Sequence, residues 1–173
     1  AGTYTVTVTD ANACTATATA TITQPALLTA TATPTNIVCN GDAGSVALTV
    51  SGGTTVYTYL WNNNYTTQAI SNLSEGTYIL TVTDKSGCVI IDTTQILAPQ
   101  SISVIINYTP DYFSRGNGTA TVIADGGTPP YQYIWNDSLS QTSGTVINLK
   151  AGNYKVTVKD KNNCQFITSV EIP

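Results

Sequence analysis

Four cysteines, Cys14, Cys39, Cys88 and Cys164, carry the most distinctive chemistry in this chain. A thiol can act as a nucleophile, bind a metal or form a disulfide. The chain contains no histidine to activate a serine or cysteine nucleophile, and no Cys-x-x-Cys pair to bind zinc. We therefore predict no enzymatic activity, no catalytic residues, no metal site and no cofactor. Disulfide formation is the chemistry that remains for the cysteines.

The composition narrows the possible partners. Only 9% of the residues are charged and the net charge is -4, against a typical charged fraction of about 25%. Because nucleic acids and anionic membranes attract clustered lysine and arginine, the absence of such clusters argues against both partners. No apolar run is long enough to span a membrane. A threonine-rich surface with few charges suits a β-rich extracellular protein better than a cytosolic enzyme.

A repeated sequence relates three of the cysteines to one another. The pattern Gly-x-Tyr-x-x-x-Val-x-Asp begins at Gly2, Gly76 and Gly152, and each copy is followed by a cysteine four residues after the aspartate. These are Cys14, Cys88 and Cys164, and the two intervals between them are nearly equal. The interval from Cys14 to Cys88 also separates Gly52 from Gly126, Trp61 from Trp135, and Pro25 from Pro99 and Pro99 from Pro173. The spacing predicts a unit of about 74 residues.

This unit divides the chain into 1–25, the second half of a repeat, and two complete repeats, 26–99 and 100–173. Because the chain starts inside a repeat and contains no methionine, we expect it to be an excerpt or a processed product whose export signal lies upstream. Short alternating runs separated by turn residues predict tandem antiparallel β-sandwiches without helices. In residues 26–99 the predicted strands are 27–33, 45–51, 57–61, 67–71, 77–83 and 89–96, and in residues 1–25 they are 3–9 and 15–23.

Aromatic residues are the predicted core anchors. Trp61 and Trp135 occupy matching strand positions, and Tyr78 and Tyr154 follow a glycine as in the tyrosine corner of Greek-key sandwiches. Burial is the favoured interpretation for all four. As an alternative, Tyr57, Tyr59 and Trp61 share one strand face and would offer a stacking platform for a sugar if that face met solvent.

Taken together, the Gly-Gly-Thr, Tyr-x-Tyr-x-Trp and Leu-x-x-Gly-x-Tyr motifs, and the runs GTYTVTVTDANAC and ITQP, resemble the SprB repeat family, whose modules are similar to PKD and immunoglobulin-like domains. The resemblance implies a segment of a giant extracellular or cell-surface protein of Bacteroidetes-type bacteria, serving as adhesin or filament. Expected partners are neighbouring copies of the repeat, surface glycans or a substratum. The alternatives are a glycan-binding module or an accessory domain of a secreted enzyme. Ser138 in Asp137-Ser138-Leu139 fits a short O-glycosylation motif of this bacterial group, although turn formation explains it equally well.

The repeat also restricts the disulfide pairing. Residues 26–99 contain Cys39 and Cys88, so we predict a bond between them. Phe113 stands where the next repeat would have its counterpart of Cys39, which leaves Cys164 without a partner in its own repeat. We expect Cys164 to be a buried free thiol near Phe113, with an interchain bond as the alternative, and Cys14 to be unpaired or interchain as well.

The pattern of residues 1–25 predicts a β-hairpin. Because an isolated two-stranded hairpin is marginally stable in water, another element must cover its apolar face. In one interpretation the missing half of the repeat lies upstream. In the other, the hairpin completes another chain by strand addition, which would give an open head-to-tail filament. The acidic residues mostly stand singly in turns, and calcium binding at Asp84 is a weaker alternative.

Overall fold

The computed structural model describes all residues from Ala1 to Pro173 and consists of short β-strands with one 3-10 turn, Tyr112–Ser114. The strands are β1 Gly2–Thr9, β2 Thr15–Ile22, β3 Thr29–Thr35, β4 Gly44–Ser51, β5 Tyr57–Trp61, β6 Ile70–Leu73, β7 Gly76–Asp84, β8 Val89–Ile96, β9 Ser103–Thr109, β10 Gly118–Asp125, β11 Gln132–Trp135, β12 Thr145–Leu149, β13 Gly152–Lys159 and β14 Gln165–Ile172. The predicted all-β antiparallel fold is confirmed. The structure contains no helix long and apolar enough to cross a membrane.

The strands form five small sheets whose order repeats along the chain. β1 pairs with β2 alone. The next six strands form sheets of order β3-β4-β6 and β5-β7-β8, and the last six repeat this arrangement as β9-β10-β12 and β11-β13-β14. Two three-stranded sheets that exchange strands in this way are typical of Greek-key sandwiches.

By their contacts the residues group into two compact units, one of 1–33, 47–69 and 78–94 and the other of 34–46, 70–77 and 95–173. The second unit contains a continuous apolar core. Its buried members lie in both sheets of the last six strands or, for Ile102, directly before β9: Ile102, Ala120, Val122, Trp135, Val146, Leu149, Val156, Val158, Val170 and Ile172. Alternation along β13 explains the pattern, because Val156 and Val158 are completely buried while Thr157 between them is only partly buried.

Buried residues recur at matching positions in the earlier part of the chain. At one constant interval, Leu28 matches Ile102, Leu48 matches Val122, and Trp61 matches Trp135. Matching buried residues later in the chain, from Ile70 with Val146 onward, are separated by a slightly longer stretch of sequence. The chain therefore takes a longer path from Trp135 to Val146 than it takes from Trp61 to Ile70.

One strand lies three residues later than predicted. The strand expected at 67–71 is β6, Ile70–Leu73. The carbonyl of Thr67 accepts the indole N–H of Trp61 at 3.0 Å, and the Thr67 hydroxyl donates to the carbonyl of Ala69 at 2.7 Å. The backbone carbonyl and the hydroxyl of Thr67 therefore make hydrogen bonds outside the sheet. The pairing of β6 with β4 begins at Ile70, which lies opposite Val46.

Candidate functional site

The cysteine that follows each repeated strand lies in a turn organised by an aspartate. The Oδ1 atom of Asp84 accepts the N–H groups of Ser86 at 2.9 Å and Cys88 at 2.8 Å, and Oδ2 accepts the N–H of Thr54 at 2.8 Å. Asp84 is only 5% exposed. The Thr54 N–H, followed by those of Cys88 and Ser86, lowers the pKa of the Asp84 carboxyl against the opposing effect of burial. Through these three backbone hydrogen bonds the Asp84 carboxylate fixes the conformation of the turn that carries Cys88.

The same turn recurs at Asp160, which is 2% exposed. Its carboxylate accepts the N–H groups of Thr128, Asn162 and Cys164 at 2.8 to 2.9 Å. At Asp10 only the two donors inside the turn, Asn12 and Cys14, are present, and the side chain is exposed. The three turns therefore share a local geometry and differ in burial.

The Gly-Gly-Thr loop brings the third donor to the carboxylate, a role that the sequence motif did not reveal. Gly53 has φ +62°, and a Cβ atom there would lie 2.8 Å from Oδ2 of Asp84. Gly127 has φ +60°, and a Cβ atom there would lie 2.9 Å from Oδ2 of Asp160. Glycine is required because the backbone must adopt a left-handed conformation and pass close to the carboxylate. No group of three or more His, Cys, Asp or Glu side chains lies close enough together to hold a metal ion.

The disulfide prediction is wrong in its partner. Cys39 is bonded to Cys164, with 5.4 Å between their Cα atoms, while Cys88 and Cys14 are free and exposed. Cys39 and Cys164 fall in the same compact unit, and their Cα separation is well inside the limit of about 7 Å for a disulfide. Cys164 is accordingly neither a free thiol nor an interchain thiol. It packs against the core of residues 100–173, whereas Phe113 is 86% exposed.

Hydrogen bonds fix the connection that carries Cys39. The N–H of Ile37 donates to the carbonyl of Leu97 at 2.9 Å, and the N–H of Leu97 donates to the Asn36 side chain at 3.0 Å. The Asn40 amide donates to the carbonyl of Pro99 at 3.3 Å. The start of this connection is thus tied to the segment that follows β8.

The last six strands contain the corresponding connection without a cysteine. The N–H of Asp111 donates to the carbonyl of Pro173 at 2.9 Å, as Ile37 does to Leu97. Pro173 therefore matches Leu97 and not Pro99. At the position of Cys39 stands Phe113, with the Arg115 guanidinium 5.5 Å from its ring centre. This connection has no thiol to form a disulfide.

Two grooves surround the paired and the free cysteine. The Cys164 groove is lined by Cys39, Asn40, residues 99–102, Gly127, Asp160 and residues 163–166. The Cys88 groove is lined by residues 24–28, Gly53, Thr54, Asp84, Ser86 and residues 88–90. Apart from Cys39 and Asn40, nearly every residue that lines the Cys164 groove has a counterpart among the residues that line the Cys88 groove. The two grooves are therefore versions of one site.

The two tryptophans lie in the interior, whereas Tyr57, Tyr59, Tyr78 and Tyr154 are half-buried. Trp61 and Trp135 are 1% and 3% exposed, and the Trp135 indole donates to the carbonyl of Ser143 at 3.1 Å. The Tyr57 hydroxyl donates to the carbonyl of Gly52 at 2.6 Å. The Tyr154 hydroxyl donates to the carbonyl of Lys150 at 3.0 Å, which closes a tyrosine corner. Because Trp61 is buried, Tyr57, Tyr59 and Trp61 do not form a solvent-facing sugar platform.

The Asp137–Leu139 turn leaves Ser138 exposed. The Asp137 carboxylate accepts the N–H groups of Leu139 and Gln141 and the Gln141 side-chain amide, at 2.8 to 3.1 Å. Burial raises the pKa of Asp137, but these donors outweigh it, so its pKa lies below the ordinary value. Asp137 thus shapes the turn, and modification of Ser138 stays a prediction.

The β1–β2 hairpin exposes the side chains that its counterparts bury. Val6 is 58% and Val8 64% exposed, whereas Leu80 and Val82, at the same positions of the repeat, are completely buried. Tyr4 and Ile22 are also more than half exposed. An apolar strand face of this size normally marks a surface that another element covers.

Comparison with known proteins gives a family match at two stretches of the chain. The profile of the SprB repeat family matches residues 31–66 and 115–140. The first stretch contains Cys39, β4 and β5, and the second contains β10 and β11. The predicted similarity to SprB repeats is therefore confirmed at these two stretches, and it supports a structural or adhesive repeat of a surface protein.

The search of curated proteins gave no match. Among solved structures, a C-terminal 282-residue fragment of intimin, in complex with the intimin-binding domain of the translocated intimin receptor, aligns with 13% identity and a TM-score of 0.48. The alignment covers 87% of this chain, and the chain spans 64% of that fragment.

Proposed function

We propose that this chain is a non-enzymatic structural or adhesive segment of a large secreted bacterial surface protein or extracellular filament. Its modules are residues 26–99 and 100–173, and residues 1–25 are the second half of another module. The chain acts as a stalk in which each module supplies a small core and contacts to its neighbours, as repeat arrays do. Neighbouring copies of the repeat are its first partners, and glycans or a substratum are the targets of an adhesive role.

One observation carries this proposal, the apolar face of β1. Val6 and Val8 are exposed in the same register in which Leu80 and Val82, or Val156 and Val158, are completely buried. A strand pair with this face is half of a sandwich, and burying it requires the strands that precede it in a complete repeat. We infer that β1 and β2 are completed by the first half of another module, in the same polypeptide or by strand complementation from another chain.

The disulfide supports a mechanical role. Cys39 and Cys164 are 125 residues apart and belong to consecutive proposed modules. A covalent bond between modules resists separation under tension and restricts their relative motion. Disulfides also persist mainly in oxidising compartments, which agrees with an extracellular location.

The experiment completes the half module. A copy of residues 26–74 is fused directly before Ala1, so that Ala1 takes the place of Glu75. We expect the amide hydrogens of Gly2–Thr9 to become strongly protected from exchange, because the added strands cover Val6 and Val8. Val6→Asp in the fusion is the control and should abolish the protection. Unchanged exchange in a fusion whose other modules remain folded would refute the completion of β1 and β2.

A second arm separates the two sources of the missing half. A polypeptide of residues 26–74 is added in trans to the unfused chain, and binding is measured by analytical ultracentrifugation. Binding that Val6→Asp abolishes would support complementation between chains. Completion by the fusion without binding in trans would restrict the mechanism to a single polypeptide.

A further inference from the structure

The Cys88 groove is lined by counterparts of the residues that line the Cys164 groove, but it has no counterpart of Cys39, the disulfide partner of Cys164. Cys39 and Asn40 form part of the Cys164 groove, and Cys39 is bonded to Cys164. The walls of the Cys88 groove come from residues 24–28, 53–54 and 84–90, and its thiol is free and exposed. Since Asp84 and Asp160 hold the two turns in the same way, the two thiols are presented by the same local geometry.

Side-chain differences make the Cys88 groove the more apolar of the two. Leu27 and Val89 stand where the Cys164 groove has Ser101 and Gln165. Both are well exposed, Leu27 at 84% and Val89 at 58%. Exposed apolar side chains beside a free thiol favour docking of a further segment over permanent contact with water.

The spacing of the repeat identifies the segment. Cys39 lies in the first half of the module that β7 and β8 complete, and it bonds to the cysteine turn of the following module. β1 and β2 precede the Cys88 groove as β7 and β8 precede the Cys164 groove. The first half that completes β1 and β2 would carry its own connection, with its own counterpart of Cys39, to the Cys88 groove.

We propose that the Cys88 groove is the docking site for the cysteine-bearing connection of another repeat, the first half that completes β1 and β2, and that this cysteine forms a disulfide with Cys88. The inference rests on the proposed completion of the half module and adds the covalent link that follows from it. Consecutive repeats are then joined by a series of disulfides, each running from the first half of one module to the cysteine turn of the next.

The docked connection has defined acceptors on this chain. Ile37 donates to the carbonyl of Leu97, and Asn40 donates to the carbonyl of Pro99. The counterparts of Leu97 and Pro99 before the Cys88 groove are Thr23 and Pro25. Their carbonyl oxygens receive the backbone N–H and the asparagine amide of the docked segment.

The chemistry is an oxidation of two thiols. The incoming cysteine is first held as a mixed disulfide with glutathione, and the Cys88 thiolate attacks its sulfur. A new sulfur–sulfur bond forms as the bond to glutathione breaks, and the glutathione thiolate leaves and takes up a proton. Overall, two protein thiols and one glutathione disulfide give one protein disulfide and two molecules of reduced glutathione.

The fusion that carries residues 26–74 before Ala1 tests this link. It is refolded in a glutathione redox buffer, alkylated and digested with trypsin without reduction. Because the first lysine is Lys85, Cys88 lies in the peptide 86–115 and Cys164 in the peptide 162–173, separate from the N-terminal peptide. We expect the N-terminal peptide to be joined to both. Cys39→Ser in the added copy should leave Cys88 alkylated and the Cys164 link intact.

The two proposals fail in different ways. Protected β1 amides with an alkylated Cys88 would overturn the disulfide and leave the completion of β1 and β2 standing. Unprotected β1 amides would refute the completion itself. A bond between the added Cys39 and Cys14, within one module, would also overturn the proposed series.

A second measurement uses the unaltered chain and does not depend on folding of the fusion. A synthetic peptide of residues 36–42, with its cysteine activated as a mixed disulfide with thionitrobenzoate, is offered to Cys88 and Cys14. Cys14 is a matched control because it has the same aspartate turn without the Gly-Gly-Thr loop and the Leu28 wall. Relative to their rates with the small reagent dithiobis(nitrobenzoate), we expect Cys88 to favour the peptide by at least about tenfold. Equal preference would overturn the docking site.

Discussion

The turns of Cys88 and Cys164 share a sequence pattern and hydrogen bonds, yet they differ in what surrounds them. Asp84 and Asp160 each accept three backbone N–H groups, and each turn begins with the same N–H to carbonyl bond from aspartate to cysteine. Cys164 is nonetheless half-buried and bonded, while Cys88 is exposed and free. The aspartate turn therefore sets the position of the thiol in both cases. Whether the thiol is bonded depends on whether a neighbouring connection supplies a second cysteine.

The largest expected effect in this comparison comes from the disulfide. Cys164→Ser should lower the free energy of unfolding by about 4 kcal/mol, because the bond closes a long loop in the unfolded chain. Cys88→Ser should have no effect beyond about 0.5 kcal/mol. Guanidinium titrations followed by fluorescence, in a Trp61→Phe background that leaves Trp135 as reporter, measure both. Equal losses in the two variants would contradict the difference between the turns.

The aspartates should give a smaller contrast. Asp160→Asn removes a buried carboxylate from three N–H donors, which should cost about 2 to 3 kcal/mol. Asp10 is the exposed aspartate of the three turns, and its two N–H donors can hydrogen-bond to water instead. Asp10→Asn should therefore change the free energy of unfolding by no more than about 0.5 kcal/mol. Thermal unfolding followed by circular dichroism compares the two variants. A neutral Asp160→Asn would mean that the carboxylate does not organise the turn.

A matched pair of valines compares the hairpin with the complete module. Val158→Ala opens space in the core and should cost about 2 kcal/mol, since two buried methyl groups are lost and a cavity is left. Val8→Ala, at the same position of the repeat, should be close to neutral in the unfused chain. In the fusion that completes β1 and β2, Val8→Ala should approach the cost of Val158→Ala. A Val8 effect that stays near zero in the completed fusion would show that its face is not buried.

The smallest effect concerns acid stability. The N–H donors from Thr54, Cys88 and Ser86 hold the pKa of Asp84 below its usual 3.8. The stability that this provides is fully present above the unfolded pKa and is lost as pH falls through the lower pKa of the folded state. Asp84→Asn should therefore reduce the decline in stability below about pH 4. Denaturant titrations between pH 2 and 6 measure the slope, and an unchanged slope would contradict this role of Asp84.

The sequence predicted most strands, the buried tryptophans and the turn positions, because these depend on alternation and on residues close together in the chain. It did not predict the partner of Cys39. The contacts of Asn36 and Asn40 with Leu97 and Pro99 join segments that are far apart in the chain, and no local pattern records them. One signal was available: Phe113 replaces the cysteine in the last proposed module. Pairing within the proposed modules leaves Cys164 unpaired, whereas pairing between consecutive ones gives it a partner.

The same lesson applies to the Gly-Gly-Thr motif. Its repetition was visible, but its role became clear only when the structure placed Gly53 against Asp84 and Gly127 against Asp160. The strand shift at β6 has a related cause, because Trp61 draws the Thr67 carbonyl away from the sheet. In both cases a neighbour outside the motif or strand itself constrains the local backbone.

The central claim is that a disulfide joins the two consecutive proposed modules, from the first half of one to the cysteine turn of the next. A tryptic map of the unfused chain, alkylated without reduction, tests it most directly. The account predicts that the N-terminal peptide is linked through Cys39 to the peptide 162–173, with Cys14 and Cys88 alkylated. A link from Cys39 to the peptide 86–115, with Cys164 alkylated, would contradict it.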